Sequence, residues 1–273
     1  MIGENLLTIV MLAALGLLGA VFGSLYNVLI YRLPRENFWQ RARSYCPHCE
    51  TSIPFYLNIP IISFIILRGR SACCNQKIAW HYPIVEFISA ALAIALYLKF
   101  PFLDALTADI NNTDQLWRYV HAYLFCSLLL VASVIDLYHM IIPDEISLGM
   151  VALTPLFVFL HPELGWLSAA IGVIVGGALL FIISWGYWFL RRKIGMGMGD
   201  VKLLAGIGGW LGYEGVFPVL LYASVLGTVV ALLLALYKRT LNLQSALPFG
   251  PFLALGAVIH LWLGNRFLTL LIG

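Results

Sequence analysis

Apolar runs separated by short polar interruptions dominate the chain. Residues 6–31 form the first of these runs. About 20 helical residues cross a hydrocarbon layer of about 30 Å, so this run predicts a membrane span. No Lys or Arg precedes it and it is too long for a signal-peptide core, so it is expected to be retained. Further spans are expected over 83–100, 117–137, 146–160, 166–190, 216–237 and 247–263, the last extendable to Leu271. Residues 201–212 are harder to place. Twelve residues reach about 18 Å, which suits a short span in a thinned or water-filled region, or a re-entrant piece. The provisional set is eight.

The pattern breaks between residues 32 and 82, where Arg32, Arg35, Arg41, Arg43, Arg68, Arg70 and Lys77, four cysteines and several prolines form a polar insert. Within it, 59–67 is apolar but too short to span, and is expected to pack inside the insert or lie at the membrane interface. Asp104, Asp109, Asn111, Asn112 and Asp114 mark a loop after the second span.

Composition agrees with this division. With 62% hydrophobic residues, 11% charged residues and a mean hydropathy of +0.92, the chain carries more apolar surface than one soluble core can bury. The expected fold is an all-α integral membrane bundle of about eight segments in contact with the lipid bilayer. Three parts are expected: a first span over 1–31, a cytoplasmic Cys-containing insert over 32–82, and a transmembrane bundle over 83–273. A formal net charge of +3 with no basic block gives no nucleic-acid-binding signature. The placement of the charge sets the topology. With the N-terminus outside and eight crossings, every Lys and Arg except Lys99, Arg118 and Arg266 falls on the cytoplasmic side, as the positive-inside rule requires.

Two acids stand out against this background. Gly195-Met196-Gly197-Met198-Gly199-Asp200 is a run of alternating glycines ending in a carboxylate, and Asp136 ends the apolar stretch 128–137. An ionisable group at membrane depth costs about 2.5–3.5 kcal/mol on insertion scales and therefore marks a functional site. In the expected topology both acids lie near the cytoplasmic ends of their spans, at similar depth. Two carboxylates held close in a low-dielectric pocket share a proton, the arrangement of an aspartic protease. Gly197 and Gly199 would let an extended substrate approach. The same acids also suit the proton or cation site of a transporter, or a carboxylate paired with a buried base. A transporter predicts internal repeats, and none is visible by eye. Asp144 and Glu145, beside Pro143, are expected to cap the fourth span.

Cys46-Pro47-His48-Cys49 and Cys73-Cys74 place four thiols in the insert, on the reducing side of the membrane. A structural zinc site suits that setting better than disulfides; the other reading is four reduced, unligated thiols. Cys126 reads as a buried apolar residue. Gly172, Gly176 and Gly177, with Gly206, Gly208 and Gly209, offer close helix contacts. His139 is the histidine nearest the acids in sequence.

An ordered set of motifs now carries a resemblance. Gly197-Met198-Gly199-Asp200-Val201-Lys202, with Ile135-Asp136 and Ile142-Pro143-Asp144, resembles the Gly-x-Gly-Asp membrane aspartic proteases of the type IV prepilin peptidase family. Gly23-Ser24-Leu25-Tyr26-Asn27-Val28 with Tyr31-Arg32-Leu33-Pro34, Asn58-Ile59-Pro60 with Arg68-Gly69-Arg70, Tyr82-Pro83-Ile84-Val85-Glu86 and Pro248-Phe249-Gly250-Pro251-Phe252 extend the likeness along nearly the whole chain. The resemblance implies a bifunctional enzyme of the bacterial inner membrane. Such an enzyme cuts the basic leader from prepilins and type II secretion pseudopilins after a glycine, then methylates the new N-terminal amine with S-adenosylmethionine. By position, Asp136 and Asp200 would be catalytic, and Gly23, Asn27 and Glu86 are candidates for methyl transfer. Many members carry a second Cys-x-x-Cys, and here its first position is Ser71. Cys46, Cys49, Cys73 and Cys74 are the thiols left to hold zinc, with His48 or His81 as substitutes.

Overall fold

The computed structural model describes residues 2–35, 44–103, 113–192, 196–238 and 247–264. Arg41, Arg43, most of the expected loop at 104–114, Lys193, Gly195, Arg239, Arg266 and the extension toward Leu271 lie outside the described residues.

Among the described residues the chain is helical and forms no β-strand. Helix α1 (Ile2–Arg32) follows the first apolar run and passes into a short 3-10 helix over Leu33–Arg35. In the insert, α2 (Ile62–Ile66) is a single short helix; α3 (His81–Lys99) then ends just before Phe100-Pro101, proline disfavouring helical backbone at the residue ahead of it. Helix α4 (Thr113–His139) ends at Met140, whose φ is +53°, and Pro143 then occupies the N-cap of α5 (Asp144–Leu160). Asp144 and Glu145 sit in the first turn of α5, where the helix dipole favours negative charge, but no side-chain cap hydrogen bond forms. After α6 (Trp166–Arg191) come α7 (Met198–Leu211), α8 (Tyr213–Lys238) and α9 (Gly250–Leu263).

All eight expected segments are therefore helices. Among the described residues, five stretches are long and apolar enough to cross a membrane: Thr8–Arg35, His81–Lys99, Thr113–His139, Trp166–Arg191 and Tyr213–Tyr237. Helices α5, α7 and α9 are shorter, at 17, 14 and 14 residues. This is an all-α membrane protein.

The chain divides into two compact units, Met1–Ser127 and Leu128–Gly273, the division falling inside α4. In the first unit α1 packs along α3. The contact is close because Gly23 lies over α3, where an added Cβ would stand 2.6 Å from the Cα of Glu86. Ser89 Oγ donates to the Gly19 carbonyl at 2.7 Å, and the Tyr26 hydroxyl donates to Ser127 Oγ at 2.8 Å. Helix α2 exposes Ile62, Ile65 and Ile66, so its apolar residues face outward rather than into the insert.

Helix α7 is the centre of the second unit. Helices α5, α6, α8 and α9 all pack against it, and Leu203, Leu204, Ile207 and Trp210 are buried. Its glycines supply the contacts expected of them: Gly208 meets Gly172, and Gly206 meets Met150. Trp210 Nε1 donates to the Met150 carbonyl at 2.7 Å. The run at 201–212 looks weak as a span because it is a short core helix enclosed by others.

Candidate functional site

The two acids are positioned by helix ends in the second unit. Asp136 lies near the end of α4 and is 5% exposed. Its Oδ2 accepts the Gly250 N–H at 2.9 Å. Gly250 opens α9, where the first N–H groups have no intrahelical partner, and Pro251 beside it has no N–H. An added Cβ at position 250 would lie 2.8 Å from Asp136 Oδ2. Glycine at this position therefore makes room for the acid.

Asp200 is the third residue of α7 and is 9% exposed. Its carboxylate lies against the backbone of Gly197, and the charge of Asp136 bears on it. The two glycines before it differ. A Cβ at Gly199 would stand 3.0 Å from Ile142 Cβ, whereas one at Gly197 would meet nothing nearer than 3.6 Å. Gly199 thus serves packing, and Gly197 leaves the side of Asp200 open. Ile142, buried in the turn after α4, also lies beside Gly250, where an added Cβ would stand 3.1 Å from its Cδ1. One side chain thereby fixes the start of α7 and the start of α9 against the turn that follows Asp136.

Just outside the pair, Lys202 Nζ donates to both carboxylate oxygens of Asp144, at 2.7 and 2.8 Å. The expected capping role of Asp144 is replaced by this link between α5 and α7. Sequence reasoning missed it, and named Ile142 and Gly250 only as motif residues, without the packing roles they have here. The Gly250-Pro251 start of α9 was the available signal for a free N–H. His139, four-fifths of a turn beyond Asp136 in sequence, is exposed.

In the first unit the insert brings its four thiols together. The Sγ atoms of Cys46, Cys49, Cys73 and Cys74 lie within 4.8 Å of one another. Two similar turns do this. Cys46 N–H donates to Thr51 O and Glu50 N–H to Cys46 O; Ser71 N–H donates to Gln76 O and Asn75 N–H to Ser71 O. Glu50 and Asn75 both have φ +57°. Ser71 therefore occupies the place that Cys46 has in the first turn, and Cys73 supplies the missing thiol from two residues on. Its Sγ is 3.0 Å from Cys49 Sγ, while Cys46 and Cys74 are 3.7 Å apart. Sulfurs around a tetrahedral zinc, each about 2.3 Å from it, stand about 3.8 Å apart, so the donor set fits that ion. Burial opposes ionisation of Cys46, but hydrogen bonds from the Ser71 hydroxyl and the Cys49 and His48 backbone outweigh it and bring its pKa down to about 6. His48 is exposed and His81 half-buried, and neither belongs to the four-thiol cluster.

The same unit encloses a cavity of about 410 Å³ whose lining includes Asn27, Glu86, Cys46 and Cys73. Glu86 is 8% exposed, and its Oε2 accepts the Ile61 N–H at 2.7 Å. Asn27 and Ser24 also reach its carboxylate. Asn27 Nδ2 donates to the Tyr82 carbonyl at 3.0 Å, whereas its Oδ1 is buried without a hydrogen-bond partner. Gly23 touches α3 beneath this carboxylate and is not part of the lining. A roomy cavity with an anion and an unused acceptor fits a polar, cationic small molecule such as S-adenosylmethionine.

Fold and site together define a helical membrane protein with a buried carboxylate pair in one unit and a thiol-flanked cavity in the other. Residues 17–100 match the family described as Bacterial Peptidase A24 N-terminal domain, and residues 123–232 match the Type IV leader peptidase family. The chain belongs to the type IV leader peptidase family. It is 34% identical to a prepilin leader peptidase/N-methyltransferase of Pectobacterium carotovorum subsp. carotovorum, over 90% of this chain and 90% of that one. It is 36% identical to the protein of that name from Burkholderia pseudomallei, over 94% and 86%. With the Aeromonas hydrophila protein of that name the identity is 33%, over 91% and 89%. No solved structure matches the chain. These relatives are named as enzymes, and they lend no support to the transporter reading.

Proposed function

We propose that this protein cleaves the basic leader from prepilins and type II secretion pseudopilins after a glycine, with Asp136 and Asp200 as the catalytic pair, and then N-methylates the new terminus. The observation that supports the first half is that Asp136, near the end of α4, and Asp200, at the start of α7, are both buried, with the charge of Asp136 bearing on Asp200. One carboxylate of such a pair takes a proton from a water as that water attacks the scissile carbonyl. The other gives its proton to the departing amide nitrogen. Gly197 leaves an approach for the extended substrate strand. The protein sits in the bacterial inner membrane with its N-terminus outside, so the basic leader stays at the cytoplasmic face and the apolar pilin helix stays in the bilayer. That puts the scissile bond at the depth of the two acids.

Methyl transfer belongs to the part of the chain around the insert, 32–82, and the peptidase to the bundle within 83–273. S-adenosylmethionine, when bound, supplies an electrophilic methyl group. Glu86 and Asn27 face the cavity that would hold it, and Gly23 sets the helix contact behind them. Zinc, held by Cys46, Cys49, Cys73 and Cys74, would be structural.

The test is incubation of a prepilin-type peptide with the purified protein in liposomes, products identified by mass. The parent should release the leader after its glycine, and the Asp200→Asn variant should not. Addition of S-adenosylmethionine should add one methyl to the mature product. A well-folded parent that leaves the peptide intact would sink the peptidase reading.

A further inference from the structure

Resting on the methyl-transfer reading, we propose that Glu86 and Asn27 form a subsite for the cationic centre of the transferring pair. That centre is either the sulfonium of the methyl donor or the ammonium of the peptide terminus. Both are single positive charges on a small apolar body, so one kind of recognition serves either.

The case begins with charge. Glu86 is buried in the cavity wall, and the groups that reach it, the Ile61 N–H, Asn27 and Ser24, are all neutral. Among the described residues no basic side chain pairs with it. Arg32, Arg35 and Lys77 line the same cavity; Lys77 is exposed, and both arginines are engaged with aromatic faces. Arg32 lies over Tyr45 at 5.9 Å, and Arg35 lies over Tyr31 at 4.1 Å while donating to the Tyr31 carbonyl. A carboxylate taken out of water without a counter-charge is costly, and a cation entering the cavity removes that cost.

The second observation is independent of the first. Asn27 is 4% exposed, and its Oδ1 has no donor although its Nδ2 is held by Tyr82. Buried carbonyl oxygens are nearly always satisfied, so this one is left for a ligand. It adjoins Glu86, and Gly23 enforces the adjacency: any Cβ there would push α1 off α3 at Glu86 itself. The wall therefore offers one full and one partial negative charge side by side.

In the reaction the neutral amine's lone pair forms the new N–C bond, the C–S bond breaks with its pair passing to sulfur, and the amine loses one proton. A positive charge thus moves from sulfur to nitrogen before the proton departs. An anionic wall holds that charge on either atom and orients the two partners.

The experiment uses the full-length protein in nanodiscs and reads dissociation constants by titration calorimetry. The probes are S-adenosylmethionine, its neutral thioether S-adenosylhomocysteine, and a mature-pilin peptide with a free or an acetylated N-terminus. The parent should prefer the charged member of at least one pair by about tenfold, the scale of one charged hydrogen bond. Glu86→Gln should abolish that preference while retaining affinity for the neutral member, and Glu86→Asp should restore part of it. Loss on the sulfonium pair assigns the subsite to the donor; loss on the peptide pair assigns it to the acceptor. Retained binding of the neutral member shows that each variant is folded. Unchanged preferences in Glu86→Gln would overturn the subsite and leave the methyl-transfer reading standing. A parent that binds neither probe class would remove that reading, and the subsite with it.

Discussion

In the unit Leu128–Gly273, a carboxylate at the end of α4 is held by an N–H 114 residues away, and a single isoleucine wedges the starts of α7 and α9. In the insert, two short turns each present thiols across five or six residues, with Cys49 and Cys73 exposed, Cys74 partly so and Cys46 buried. The first site is packed so tightly that a methyl group on Gly250 or Gly199 meets a neighbour at 2.8–3.0 Å. The second is local and open. Chemistry at the carboxylates therefore depends on long-range helix packing, whereas the thiols depend on their own turns and on whatever they bind.

Removing an acid should separate the two regions most sharply. Asp136→Asn leaves size and Gly250 contact nearly unchanged but removes one member of the proposed proton-transfer pair, so cleavage should fall about 10²–10⁴-fold. The variant should still insert, and should still methylate a peptide supplied without its leader. Loss of both activities at once would show that the regions do not work separately. Gly250→Ala should come next. Its Cβ displaces Asp136 without altering any titratable group, and a misplacement of about 1 Å costs up to about 10²-fold. Gly197→Ala, which meets nothing nearer than 3.6 Å, should fold as the parent does. Cleavage rates of the three variants on one peptide rank these effects.

The difference between the regions also decides what could be read from sequence. Asp136 and Asp200 are visible as acids in apolar runs, yet their meeting depends on Ile142 and on a free N–H at Gly250, which are properties of packing. Helix α7 was the hardest segment to place because its length and glycines are those of an enclosed helix, and spanning criteria assume lipid on the outside. In the insert the spacing gave the thiols directly. What it could not give was the register: Ser71 stands where the turn repeats Cys46, and only the backbone pairing shows Cys73 reaching in from beside it. Asn27 and Glu86, 59 positions apart in sequence, become neighbours through the Gly23 contact.

Metal removal probes the open region. Cys46→Ser, or chelation of the parent, should lower zinc from about one equivalent to well under half by elemental analysis, because three thiolates make a much weaker structural site. Proteolysis within 44–79 should quicken while leader cleavage stays within about twofold. Cys73→Ser should match Cys46→Ser if the offset thiol is a ligand. Full zinc retention in Cys73→Ser would mean that Ser71 or a histidine completes the site.

The smallest effect is expected where the packed region meets solvent. Lys202 and Asp144 join α7 to α5 two residues beyond Asp200, with both carboxylate oxygens engaged, but their side chains are 33% and 58% exposed. Exposed ion pairs of this kind contribute about 0–1 kcal/mol, and salt screens them. Lys202→Met and Asp144→Asn should therefore each change stability slightly, and the double variant should recover a coupling of less than about 1 kcal/mol that fades in high salt. Cleavage should fall no more than a few-fold in either single variant, since Ile142 and the two glycines hold the acids without the pair. A coupling well above that bound, insensitive to salt, would place this link inside the packed site and move the boundary between the two kinds of construction outward by one helical turn.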